Sequence, residues 1–266
     1  SDSFNRFATD PVITGALMGA VIIGGLGFPV LVDLHLHGRR GWRHLTLHSR
    51  LTIAASGALL VVGWILISMF EWGNVTMADH SVPEKLWMGL FGSVTPRTAG
   101  FHTMWPSEMT DEGILFTMML VFIGAGSAGT SGGIKVGTFA LLALVVRAEL
   151  RGDPDVVGFE RRIPQAVQRQ ALTVVLLATA AVVLTVIGLS WMSDFTLQDV
   201  AFESVSAFGT AGLTMGITPH LTAPGHLLTA LTMLVGRVGP VTLGTAMVLR
   251  FRSARIRHPE EAPLIG

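Results

Sequence analysis

A short apolar stretch, then Thr-Ala-Gly, then a longer apolar run occurs twice in this chain. Thr98-Ala99-Gly100-Phe101 recurs as Thr210-Ala211-Gly212-Leu213, an offset of 112 residues. The first copy follows residues 86–92 (LWMGLFG), which are apolar but far too few to cross a bilayer, for which about 20 residues are needed. The second follows a short helix candidate over 197–208. The same offset pairs Phe122-Ile123-Gly124 with Leu234-Val235-Gly236 downstream. Two ordinary glycine turns could share three letters, but the common flanking order favours a repeat. A short helix that enters the membrane, stops and returns as a glycine-containing strand is a re-entrant loop. Backbone without helical hydrogen bonds persists at that depth only where it is buried in protein or lines a water-filled cavity. Its free carbonyls can replace the water shell of a cation.

Composition places this repeat in a membrane. Half of the 266 residues are hydrophobic, 14% are charged, and mean hydropathy is +0.59, which describes a polytopic membrane protein. Thirty-one glycines and no tyrosine suit close helix packing and broken helices. The lack of cysteine excludes disulfides, thiolate metal sites and cysteine catalysis. The chain opens on a polar segment, Ser1 to Asp10, without an initiator Met, and we expect it to be cut from something longer.

Taken in order, residues 12–34 form a first span, with Gly24, Gly25, Gly27 and Pro29 predicting a local bend near its exit. Arg39, Arg40, Arg43 and Arg50 follow with no acid among them, so this loop is placed in the cytoplasm. Leu51–Phe70 is the second span, and its acidic exit (Glu71, Asp79, Glu84) is placed outside. After the first re-entrant unit comes an apolar run from Gly113 to Val146, interrupted by GAGSAGTSGG over 124–133. Arg147, Arg151, Arg161, Arg162 and Arg169 mark a second inner loop. Ala171–Trp191 and Leu227–Leu249 are further spans, and Arg250, Arg252, Arg255 and Arg257 follow the last. The three inner segments hold 13 of the 18 Lys and Arg residues, which supports the topology independently of the repeat.

Two re-entrant loops of one orientation point to an ion pathway. Helices over 84–94 and 197–208 would aim their C-terminal, negative dipole ends inward at a cation. Gly100 and Gly212 permit positive φ, letting successive carbonyls face one axis.

The stretches SVTPRTAGFHT, FIGAGSAGTSGGIK, ESVSAFGTAGL and GRVGPVTLGTA resemble motifs of the Trk/Ktr/HKT potassium-transporter superfamily, and the chain resembles its bacterial TrkH/KtrB-like membrane subunit. GGLGFPVLVDL is similar to the closing helix of that family's second repeat. The likeness runs in order over nearly the whole chain. It implies an all-α membrane protein of helix–pore loop–helix repeats of potassium-channel type, here two complete repeats plus the last helix of a preceding one. The divisions are 1–38 (closing helix of repeat two), 39–50 (cytoplasmic loop), 51–150 (repeat three), 151–169 (cytoplasmic loop), 170–252 (repeat four) and 253–266 (cytoplasmic tail).

By the same resemblance the filter falls on Thr98, Ala99, Gly100 and Phe101 and on Gly209, Thr210, Ala211, Gly212 and Leu213, with potassium at the filter carbonyls. The strands of repeats one and two are not in this sequence, so it holds half a filter. Gly124, Gly126, Ser127, Gly129, Thr130, Ser131, Gly132 and Gly133 resemble the intramembrane gate loop beneath the filter, with Lys135 and Arg237 as its charged residues. The resemblance further implies potassium uptake with sodium as a second candidate ion and no catalytic residues. It implies no cofactor in this chain, a multi-pass location in the cell membrane among lipid, and no nucleic acid. A homodimer of the full-length subunit and a cytosolic nucleotide-binding regulatory subunit (RCK/TrkA-KtrA-like) are the implied partners.

Other readings of the same residues remain open at this point. Gly124, Gly126 and Gly129 also read as G-x-G-x-x-G, but a dinucleotide site needs a preceding strand in a βαβ unit, and the flanks here are apolar helices. Lys135 and Arg237 lie in spans, where a charge needs a partner or water; Glu203 is the acid that could pair with them structurally. Arg97 would complement the end of its short helix. His35, His37, His44 and His48 could serve a membrane metalloenzyme, but without an acidic partner nearby we read them as solvated loop residues. A non-conducting fragment is the third reading.

Overall fold

The computed structural model describes residues 3–249, with side chains to Gly239. The arginines after Leu249 and the tail over 253–266 lie outside the described residues. Asp10 caps the first helix, α1 (Pro11–Leu26), accepting from the Val12 and Ile13 amides at 2.9 and 3.2 Å, with Pro11 preset for the first turn. The helix stops at Gly27, whose φ is +90°, and restarts as α2 (Phe28–His37). The two axes differ by 90°. The bend expected near the exit of the 12–34 span falls at Gly27 and is a full corner rather than a slight one.

Two units of like order follow. In the first, α3 (Leu47–Glu71) is succeeded by the short α4 (Val82–Val94), an extended loop, and α5 (Asp111–Ile123). In the second, α7 (Gln165–Met192) is succeeded by the short α8 (Leu197–Gly209), an extended loop, and α9 (Ala223–Leu249). The short helices match those expected over 84–94 and 197–208 to within two residues. Between the units lie α6 (Val136–Arg151) and a small antiparallel hairpin, β1 (Val157–Gly158) with β2 (Arg161–Arg162). α3 and α7 are long and apolar enough to cross a membrane, and the bent α1–α2 pair passes the same test together. At 1.5 Å per residue α3 spans roughly 38 Å, against a hydrocarbon core of about 30 Å.

Helices in lipid are held by close packing rather than by expulsion from water, so small residues mark the contacts. α4 lies against α3 in this way. A side chain on Gly89 would place its first carbon 2.0 Å from Ser68 Oγ, and one on Gly63 would sit 2.4 Å from Ser93 Oγ. Ser93 Oγ donates to the Leu60 carbonyl at 2.8 Å and Trp64 Nε1 to the Leu86 carbonyl at 2.8 Å. In the second unit, Gly236 of α9 rides directly on the Phe208 carbonyl of α8. Thr185 of α7 and Thr232 of α9 share a hydrogen bond of 2.8 Å.

A buried acid holds the turn that leaves α3. Glu71, fully buried at the end of α3, accepts from the Thr110 amide and hydroxyl (3.0 and 2.8 Å), from Asn74 Nδ2 (2.6 Å) and from Thr76 Oγ1 (2.6 Å). Thr110 is itself the cap of α5, accepting from the Gly113 amide at 3.1 Å. The carboxylate thus ties the exit of one helix to the entry of the next.

Candidate functional site

The two Thr-Ala-Gly loops meet. A first side-chain carbon built on Gly212 would lie 3.1 Å from Gly100 Cα, and one on Gly100 would lie 3.9 Å from the Ala211 carbonyl oxygen. Both glycines have left-handed backbone, with φ of +73° at Gly100 and +76° at Gly212. Thr98 (+64°) and Thr210 (+51°) are left-handed too, although they carry β-branched side chains. Such residues cost of order 1–3 kcal/mol each and persist only where their surroundings over-determine them. Nothing in the letters Thr-Ala-Gly announces the threonine conformation.

Each loop starts at the C-terminal end of its short helix. α8 ends at Gly209, and Thr210 closes it, with the Thr210 amide bonded to the Ala207 carbonyl and the Ala211 amide to the Ser206 carbonyl at 2.9 Å. Beyond the turn, Ser206 Oγ donates to the Leu213 carbonyl at 2.5 Å and accepts from the Leu213 amide at 3.1 Å. Ala211 and Leu213 pack with Ile114 and Val121 of α5 and Phe202 and Val205 of α8. The first loop is braced differently. Arg97 is buried and donates to the Ser56 carbonyl of α3 at 3.2 Å, so it bridges to a neighbouring helix instead of capping α4. The N-terminal segment lies over the far side: the Phe4 amide donates to the His102 carbonyl at 3.1 Å, and the Phe4 ring stands edge-on to Phe101 at 5.0 Å.

Directly against the second loop lies the interruption between α5 and α6. It runs from Gly124 to Lys135, two residues past the expected glycine-rich stretch. Its backbone partners come from three directions. The Gly126 and Thr130 amides donate to the Gly25 and Gly24 carbonyls left free where α1 breaks, at 2.7 and 3.4 Å, and the Phe28 amide donates back to Ala128. The Gly132 amide donates to Thr210 Oγ1 at 3.1 Å, which links the interruption to the second loop. The third contact is to α9, where Arg237 Nη1 donates to the Thr130 carbonyl. Inside, Ser131 Oγ accepts from the Ala125 amide at 2.8 Å, and the Lys135 ammonium donates to the Ser131 carbonyl. Gly27 and Gly132 leave room for these approaches: an added carbon would fall 2.2 Å from the Ser127 carbonyl oxygen and 2.7 Å from that of Gly209.

Glu203 therefore does not partner Arg237 or Lys135. It is buried on α8 and accepts from Thr214 Oγ1 at 2.8 Å and from Thr218 Oγ1, both in the chain leaving the second loop. The two cations find carbonyls instead, because the broken helix offers acceptors without hydrogen-bond partners of its own. Of His35, His37, His44 and His48, His37 has an acidic neighbour after all, with its Nδ1 2.9 Å from Asp33 Oδ1 four residues back on the same helix. Among the described residues no group of three or more metal-ligating side chains comes together.

Fold and site define a polytopic, helical membrane protein built from two like units, whose short helices deliver glycine-bearing loops to one place. Residues 1–258 match the family model TrkH, described as a cation transport protein, and the chain belongs to that family. It is a family of membrane transporters, not of enzymes. The chain is 35% identical over 266 residues to Ktr system potassium uptake protein B of Bacillus subtilis and 34% over 267 to that of Vibrio alginolyticus. It is 34% identical to the potassium/sodium uptake protein NtpJ of Enterococcus hirae. All of this chain is covered in each match, against 58–60% of those relatives, so it spans less than two thirds of their length. In fold it is similar to the crystal structure of the potassium transporter TrkH from Vibrio parahaemolyticus, at a TM-score of 0.68 and 19% identity over 92% of this chain and 53% of that one.

Proposed function

We propose that this chain forms one side of a potassium uptake pathway, with Thr98–Phe101 and Gly209–Leu213 as two neighbouring strands of its filter. The observation that carries this is the approach of Gly212 to Gly100, both left-handed, at the ends of two short helices. Left-handed glycine turns the peptide planes so that backbone oxygens can be offered to a cation, and the negative ends of α4 and α8 favour positive charge there. The uptake proteins among its relatives support potassium as the ion, with sodium the alternative.

Residues 124–133, with Lys135 and Arg237, are the gate. The interruption presses on Thr210 directly beneath the second filter strand, and its positive side chains would repel a cation while it is in place. Its bonds to α1 and α9 are few and mostly backbone to backbone. We further propose that the intact transporter is a homodimer regulated by a nucleotide-binding cytosolic subunit; the relatives are named as parts of Ktr systems, which supports partner subunits in general.

In the intact transporter, Gly100→Ser or Gly212→Ser should reduce potassium-over-sodium preference in uptake assays, because a side chain there meets the opposite strand. Unchanged selectivity in both variants would remove the filter assignment.

A further inference from the structure

Beside the first loop lies a small, partly open cavity that leaves about 20 Å³ for the centre of a water-sized sphere. Thr95, Thr103 and Thr117 line it, together with Gly92, Met104 and Leu213. The three threonines are 5–6% exposed, and none of their hydroxyls has a hydrogen-bond partner among the described residues. They come from three elements: the end of α4, the chain leaving the loop, and the middle of α5.

We propose that this cavity is a binding site for one ordered water, held by the hydroxyls of Thr95, Thr103 and Thr117. A water requires roughly 10–15 Å³ of such space and two to four polar partners; the cavity has the space, and its lining carries three unpartnered hydroxyls. Each threonine hydroxyl can donate once and accept twice, so three of them satisfy a single water without help from the backbone. Left dry, the same arrangement strands three buried hydroxyls together, which folded proteins avoid.

The second unit shows why the first needs such a brace. The 112-residue offset places Glu203 opposite Phe91, Ala207 opposite Thr95 and Met215 opposite Thr103. Glu203 holds the chain leaving its loop through Thr214 and Thr218. The first unit has a phenyl ring where that carboxylate stands, and hydroxyls at Thr95 and Thr103 where the second unit is apolar; Thr117 corresponds to Thr229, which bonds the Gly225 carbonyl of its own helix at 2.9 Å. The water takes over the role of the carboxylate, tying α4, the outgoing chain and α5 around residues 98–101. That this steadies a filter strand rests on the reading proposed above; the binding of the water does not.

Two measurements on the intact transporter test the site. A density map at a resolution that shows ordered waters, roughly 2 Å, should contain a peak within hydrogen-bond reach of all three hydroxyls. The double variant Thr95→Val, Thr117→Val should melt a few degrees below the wild type, because it leaves the water and Thr103 without partners. In a dry cavity the sign reverses, since valine removes two stranded hydroxyls from apolar surroundings. A map without the peak overturns the proposal, as does a melting point that stays or rises. A peak with oxygens closer than hydrogen-bond distance would be a cation and would also overturn it. Ion selectivity is not read, so failure of the filter reading leaves this test intact.

Discussion

Arg237 and the two buried acids show how single side chains are resolved in this fold. A guanidinium has five donors and no acceptors, and within a span it must find oxygens. Arg237 finds the Thr130 carbonyl, on a stretch that has lost its helical partners. Arg237→Ala should therefore raise ion flux through the intact transporter, by removing both the positive barrier and one tether of the loop; flux at or below wild type, with normal folding, would make its role purely structural. Glu71 is the opposite case, a charge consumed entirely by architecture. Glu71→Ala would strand the Thr110, Asn74 and Thr76 donors and should destabilise the protein by about 1–3 kcal/mol or more, read as a lower melting point. The need of Arg237 for acceptors was legible from its place in an apolar run. The partners of Glu203 were not, because they lie in a loop whose path is set by the left-handed turn at Thr210 and Gly212.

Among the elements, the pair α5 and α6 departs furthest from a plain span. Glycine costs up to about 1 kcal/mol relative to alanine in a helix interior, and five of the ten residues over 124–133 are glycine, so an interruption there could be read from composition. What it docks on could not. Gly24 and Gly25 present acceptors because α1 breaks at Gly27, and that 90° corner lies in close contact with the Ser127 carbonyl. A run of apolar residues with glycines and a proline looks the same whether it bends slightly or turns fully. Gly27→Ala should act as a partial release of the loop. Its new carbon would need the place of the Ser127 carbonyl, and a φ of +90° is strained for alanine. Flux should rise, and deletion of 124–133 should raise it further; flux unchanged in both would remove the gate.

At the scale of the molecule, the class of fold is readable from the repeat and the arginine-rich loops: mostly helical, polytopic, in two like units. The repeat works because each unit solves the same problem, placing broken backbone deep among helices where it can be covered. The units then diverge. α9 runs unbroken through the register at which α5 stops, and Glu203 stands where the first unit has Phe91. In the proposed pathway the cation binds where the two Thr-Ala-Gly loops meet. Rubidium, a potassium mimic that scatters anomalously, locates that place directly. Crystals of the intact transporter grown in rubidium salt should show an anomalous peak beside both Thr98–Phe101 and Thr210–Leu213. A well-ordered structure in which rubidium binds elsewhere, or not at all near these loops, would contradict the account.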